Sequence, residues 1–200
     1  MPLKHRILNQ NFLCKACSLV LSTLFLTACA QKYDTLPNTR VVSACQTPII
    51  TYAFGTVRHG DYNDLNFSNS EIHKYIQEAL DQSGCFAHTL EVTNASTHYR
   101  LDAAYGNINT KSRTGGFWHT QTSDSLIVEV QLAFNRMDET RVFQGKSSLQ
   151  NANEQYLKFF GEKSTINDTE IQIILKNAIN SATNEATRSF LLEGRNNSER

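Results

Sequence analysis

Four polar side chains that stand close together in the sequence are the first candidates for chemistry: His59, Asp61, Asp64 and His73. Imidazole and carboxylate groups are common metal ligands. The segment nevertheless lacks the glycine of a calcium-binding loop, and Ile72 occupies the position where such a loop places its acidic twelfth residue. We therefore interpret the segment as a hydrated polar loop, and we predict no metal site and no cofactor.

Catalytic motifs give no stronger signal. The sequence after residue 28 contains no G-x-S-x-G, no Walker phosphate-binding loop, no H-E-x-x-H and no C-x-x-C. His98 and Asp102 fall on one face of a predicted strand, but no nucleophile accompanies them, and a surface pair is the simpler interpretation. We therefore predict that the protein is not an enzyme and has no catalytic residue.

The amino terminus has the layout of a secretory signal. Lys4, Arg6 and Lys15 precede an apolar stretch over residues 16–28, and no acidic residue interrupts the first 28 positions. Thirteen positions are too few for a transmembrane helix, which needs about 20 apolar residues. The segment is predicted to be cleaved after export.

The end of this signal, "LTAC" (Leu26 to Cys29), resembles the lipobox of bacterial lipoproteins. The resemblance implies cleavage before Cys29 and lipidation of that cysteine. Ala30 stands where an aspartate would imply retention in the inner membrane, so we expect a lipid anchor in the outer membrane, facing the periplasm. Two or three acyl chains are needed for stable anchoring. The alternative is an ordinary signal peptide that contains a cysteine near its cleavage site.

Cleavage would also change the charge balance. Removal of residues 1–28 takes away three basic residues and no acidic one, which leaves 16 basic and 19 acidic residues and a net charge of −3. We therefore predict no nucleic-acid partner.

The five cysteines have three different predicted fates. Cys14 and Cys17 leave with the signal and Cys29 carries lipid, so Cys45 and Cys85 remain. Cys45 precedes the first predicted strand and Cys85 the second, and in a right-handed strand-helix-strand unit both strands start at the same sheet edge. An oxidising compartment favours a disulfide between them. Two buried free thiols are the alternative.

Hydrophobic periodicity predicts one α+β domain, with a mainly antiparallel sheet of four to five strands packed against two helices. A capping box at Ser68 and Glu71 and a glycine at position 84 delimit the first helix. The predicted order is strand, helix, four strands, helix. The segments are a signal peptide (1–28), a lipidated cysteine with a flexible tether (29–44), the periplasmic domain (45–195) and a tail (196–200).

One polar stretch, residues 109–125, has no alternation and is predicted to be a loop. It contains Gly115, Gly116, Phe117 and the single tryptophan, Trp118. Large aromatic side chains on loops often anchor a partner. We predict that Phe117 and Trp118 bind one; the alternative is that both rings are buried on the sheet.

The stretches "EALDQSGCF", "THYRLDAAYGNI" and "LIVEVQLAFNRMDETRVFQGKSS" resemble periplasmic lipoprotein domains of the curli-secretion and penicillin-binding-protein activator group. The likeness covers about residues 71–148 and departs from the pattern at Thr97 and His98. It implies an accessory factor that supports an envelope protein complex, such as a secretion channel or a peptidoglycan synthase. The alternative is an auxiliary lipoprotein of lipid or lipopolysaccharide transport, which would need an apolar groove between helix and sheet.

Overall fold

The structure, a computed structural model, describes residues 38–60, 63–90, 97–116, 119–137, 139–156 and 166–198. Along the chain its elements are β1 (Ile50–His59), α1 (Asn69–Ser83), β2 (Phe86–His88), β3 (His98–Gly115), β4 (His119–Arg136), β5 (Glu139–Tyr156) and α2 (Asp168–Ser198). The predicted order of elements is confirmed.

The five strands form one sheet in the order β2-β1-β3-β4-β5, packed against both helices. The predicted α+β class is confirmed, although the sheet is mixed rather than mainly antiparallel. β1 runs parallel to β2 and to β3, whereas β3, β4 and β5 pair antiparallel. β1 belongs to both parallel pairs, with the three-residue β2 on one side of it and β3 on the other.

The last three strands are much longer than predicted. Each has 18 residues, and the described part of the segment 109–125, predicted to be a loop, belongs to β3 up to Gly115 and to β4 from His119. Pairing continues in unbroken register from Arg100↔Asn135 to Gly115↔Thr120. The loop prediction was wrong because backbone pairing, which leaves no hydrophobic signal, holds these polar residues in strands.

Helix α1 begins and ends at the predicted signals. The Ser68 hydroxyl accepts from the Glu71 amide, the Glu71 carboxylate accepts from the Ser68 amide, and Gly84 takes the left-handed conformation, φ 72°, at the other end. Its predicted apolar stripe is buried: Ile72, Tyr75, Ile76, Ala79 and Leu80. Within the described residues neither helix is both long and apolar enough to cross a bilayer.

Helix α2 lies directly against β5. A Cβ atom placed on Gly145 would sit only 1.9 Å from the carbonyl oxygen of Ala178 and 2.6 Å from the amide nitrogen of Ala182. The small side chains at the contact therefore let the two backbones approach closely. Around Phe190 of α2, aromatic rings from four strands pack edge to face or tilted: Phe86, Tyr99, Phe134 and Phe143.

The predicted disulfide is confirmed. Cys45 and Cys85 are joined, with their Cα atoms 4.9 Å apart. Backbone hydrogen bonds fix both ends of the bridge, from the Cys45 amide to the Ser83 carbonyl and from the Ile50 amide to the Cys85 carbonyl. The bridge thus ties the segment before β1 to the junction between α1 and β2.

Candidate interaction surfaces

The end of β3, the start of β4 and the end of β5 form a three-stranded polar extension. We call it the distal ribbon and define it as residues 110–115, 120–125 and 150–155. Thr110 pairs with Ser125 and Ser125 with Gln150, and the pairing of β4 with β5 continues through Thr120 and Gln155 to the end of both strands. Every residue from 110 to 116 is exposed, although successive side chains of a strand point to opposite faces. This part of β3 therefore contributes neither face to the hydrophobic core.

Polar contacts hold the described part of the ribbon together. Asp124 is almost fully buried on the central strand, and its carboxylate lies 3.9 Å from the ammonium group of Lys111 on β3. At the turn, the Thr120 hydroxyl donates to the Gly116 carbonyl at 2.8 Å. The side-chain amide of Gln150 donates to the Ser123 hydroxyl at 3.3 Å. Side-chain bonds across strands add to the backbone pairing and stiffen the ribbon.

Phe117 and Trp118, the predicted partner-binding residues, lie outside the described residues, as does the predicted lipidation site, Cys29. In the chain, Phe117 and Trp118 stand between Gly116 and His119, which are the described residues on either side of the β3–β4 turn.

Three of the four metal-ligand candidates lie among the described residues. The His59 ring lies 6.1 Å from that of Tyr105, the His73 ring lies 4.5 Å from that of Phe54, and the Asp64 amide donates to the Asn107 side chain. Asp61 lies outside the described residues. Among the residues that are described, no three His, Cys, Asp or Glu side chains come close enough together to hold a metal ion.

Asp102 stabilises a bulge in β1. Its carboxylate accepts from the Thr56 amide at 2.7 Å and from the Asn135 side chain at 2.8 Å, where the pairing of β1 with β3 shifts between Phe54 and Val57. Burial raises the pKa of this carboxyl, but the hydrogen bonds from Thr56 and Arg100 outweigh burial and lower it. These contacts join β3 to β1 and to β4, so they are structural, and His98 lies four residues earlier at the start of β3.

The segment before the disulfide is held by asparagine side chains of α2. Asn184 accepts from the Val42 amide and donates to the Arg40 carbonyl, both at 2.9 Å. Asn177 accepts from the Thr39 amide, and Asn180 donates to the Thr39 carbonyl at 2.7 Å. Of the predicted tether, residues 29–44, the described part is therefore bound along α2.

An apolar cavity of about 320 Å³ adjoins this segment. The residues that line it are here called the tether-side surface: Val42, Ala44, Asn184, Thr187, Arg188, Leu191 and Leu192. Val42 is 63% exposed and Leu192 is 54% exposed, so two large apolar side chains face solvent here. The guanidinium group of Arg188, also exposed, supplies a positive charge at the rim.

A second cavity, of about 330 Å³, lies on the side of the sheet away from the helices. Gly60, Ala104 and Gly106 leave room there, and Ile108, Ile127 and Glu129 line it. The Glu129 carboxylate is paired with the ammonium group of Lys146 at 2.8 Å. Neither cavity lies between the helices and the sheet, where apolar side chains fill the core.

The sequence matches no protein-family model and no curated protein. Among solved structures, the chain is similar to a neuraminyllactose-binding hemagglutinin homologue from Helicobacter pylori, with 10% identity, 78% of this chain and 90% of that chain covered, and a TM-score of 0.42. It is also similar to the hypothetical protein CT253 from Chlamydia trachomatis, with 11% identity, coverage of 72% and 94%, and a TM-score of 0.27.

A PelC dodecamer from Paraburkholderia phytofirmans is a third similar structure, with 9% identity, coverage of 76% and 95%, and a TM-score of 0.35. At this level of identity and structural agreement, none of the three assigns a family or a function to the chain.

Proposed function

We propose that the protein is a non-catalytic accessory factor, anchored in the outer membrane through lipid on Cys29, that binds an envelope protein complex through the turn of its distal ribbon. The observation that carries the proposal is the exposure of both faces of β3 from residue 110 to residue 116. Ordering each residue costs about 1 to 2 kcal/mol of backbone entropy, and burial of apolar side chains normally offsets that cost. Because residues 110–116 of β3 show no such burial, this part of the ribbon is best explained as a platform for contact with another molecule.

The transport alternative receives less support. A carrier of lipid or lipopolysaccharide needs an apolar groove large enough for an acyl chain, and the space between helix and sheet was the expected place for it. Among the described residues, core side chains occupy that space, and beside Gly145 the backbones of α2 and β5 lie in close contact. A lipid anchor on Cys29 fits both functions, and the distal ribbon favours protein binding.

The anchor is tested at Cys29. We expect the wild type to incorporate labelled palmitate and to fractionate with the outer membrane, and Cys29→Ser to accumulate as a larger, uncleaved form without label. Lipidation requires the thiol, so serine leaves the protease without its substrate. Absence of label in the wild type would disprove the anchor.

The ribbon is tested at Trp118. We expect Trp118→Ala to weaken partner binding by about 2 kcal/mol or more, as removal of an aromatic anchor does, and to leave the unfolding free energy nearly unchanged. In-cell photocrosslinking from position 113, on the exposed part of β3, supplies the readout. The same crosslinker at position 74, where the side chain of Lys74 is 69% exposed on α1, should capture none of the proteins that are captured from position 113.

Val142→Ala, at a 49% exposed apolar position of β5 outside the distal ribbon, is the matched control and should retain the crosslink. The core alternative makes the opposite prediction: Trp118→Ala would cost about 3 to 5 kcal/mol of folding stability. Blue-shifted tryptophan emission that resists quenchers in the isolated protein would show that Trp118 is buried and would reject the anchoring role.

A further inference from the structure

The segment that leads from the described domain towards Cys29 starts at a fixed place on α2. Three asparagine side chains, from Asn177, Asn180 and Asn184, hydrogen-bond the backbone of residues 39, 40 and 42. The side-chain amide of asparagine carries a donor and an acceptor next to each other. Asn184 can therefore bind a backbone N–H and a backbone carbonyl of the segment at the same time. The tether-side surface begins beside this segment, at Val42 and Asn184, and extends along α2 towards Leu192, away from residue 38.

The length of the intervening chain limits how far this surface can lie from a membrane anchor. Eight residues lie between Cys29 and Asn38, and the nine residue-to-residue steps span only about 30 Å even when the chain is fully extended. If Cys29 carries lipid, as the proposed function requires, the bilayer surface lies within that distance of residue 38. A domain tied so closely meets the bilayer at a high effective concentration.

The chemistry of the tether-side surface suits a bilayer interface. Val42, Leu191 and Leu192 present apolar side chains that are 63%, 37% and 54% exposed. Arg188 on α2 is exposed and lines the same cavity, and Arg40, also exposed, lies two residues before Val42 on the bound segment. Both positive charges match the negative charge of anionic phospholipid. Apolar side chains flanked by basic ones are the pattern of interfacial membrane contacts.

We propose that the tether-side surface lies on the lipid bilayer, with Leu191 and Leu192 entering the interface and Arg40 and Arg188 contacting phospholipid phosphates. This inference rests on the proposed anchor at Cys29 and adds a second contact with the same membrane. The contact orients the domain, because a second attachment to the same membrane restricts rotation about the tether. The distal ribbon is thereby presented at a defined angle to its partner.

The test uses the mature lipidated protein in vesicles of phosphatidylethanolamine and phosphatidylglycerol. One variant, Leu192→Cys, carries an environment-sensitive fluorophore at position 192; a matched control, Ile108→Cys, carries it on the opposite side of the sheet, where Ile108 is 57% exposed. Phospholipid with brominated acyl chains should quench the label at position 192 and leave the label at position 108 unaffected. In vesicles that contain phosphatidylglycerol, Arg188→Gln should reduce the quenching at position 192.

Other outcomes overturn the proposal in recognisable ways. Equal quenching at the two positions, or none at position 192 in protein that floats with the vesicles, would exclude the bilayer contact and leave the anchor intact. A label at position 192 that is blue-shifted but unquenched would mean that another apolar group, such as the lipid on Cys29, fills the cavity. Protein that fails to float with vesicles would refute the anchor itself.

Discussion

Removal of the disulfide, by Cys45→Ala together with Cys85→Ala, is expected to lower the free energy of unfolding by about 3 to 4 kcal/mol. The bridge closes a loop with a sequence separation of 40, which contains β1 and α1, and this restricts the unfolded chain. The loss follows from chain entropy, because the unfolded variant can explore conformations that the bridge forbids. Urea denaturation of the mature protein, followed by circular dichroism, measures the change.

The reduced wild type is the control for this experiment, since it loses the bond and keeps both side chains. If entropy dominates, reduced wild type and double variant should unfold at similar urea concentrations, both well below the oxidised wild type. Cys85 is fully buried, so a double variant much less stable than the reduced protein would instead indicate a packing defect at that position. Two alkylatable thiols in the unreduced wild type would refute the bridge.

The elements that the sequence predicts best are those with local signals. The capping box of α1, its apolar stripe and its terminal glycine lie within 17 residues, and each interaction joins near neighbours. The disulfide was also predictable, because only two cysteines remained after the signal and the lipobox were accounted for. The inference about α1 uses contacts within one helix, and the inference about the disulfide uses a count of cysteines.

The distal ribbon and the parallel pairing of β1 with β3 lack such signals. Residues 110–115 are polar on both faces, so no alternation distinguishes a strand from a loop. Pairing between β1 and β3 depends on a bulge where Gly55 has no side chain: a Cβ atom there would meet the Asp102 carboxylate at 2.1 Å. The partner of that glycine lies 47 residues away and cannot be identified from local pattern.

The bound part of the tether was missed for a related reason. Asn177, Asn180 and Asn184 recur on one side of α2 at intervals of three and four residues, yet polar residues at that spacing are typical of a solvent-exposed face. Their partners are backbone atoms about 140 positions earlier in the chain. Such contacts depend on the tertiary fold and cannot be read from side-chain type.

Gly145→Ala is expected to destabilise the domain by about 3 kcal/mol, near the upper end of the usual cost of overpacking a core. The added methyl group would approach the Ala178 carbonyl oxygen to 1.9 Å and the Ala182 amide nitrogen to 2.6 Å, and both are backbone atoms of α2. No change of rotamer can relieve the clash, so the helix must move away from β5. Denaturation of the purified variant in urea measures the loss.

Gly194→Ala is the matched control, because it adds the same methyl group to α2 at a position with no heavy atom within 4 Å. Alanine favours helix over glycine by about 1 kcal/mol, so this variant should be as stable as the wild type or slightly more stable. A helix displaced by Gly145→Ala would also loosen the packing of Ile174 and Leu175, both fully buried, and should lower the cooperativity of unfolding. If the two variants unfold at the same urea concentration, α2 does not lie against β5 at the distance described.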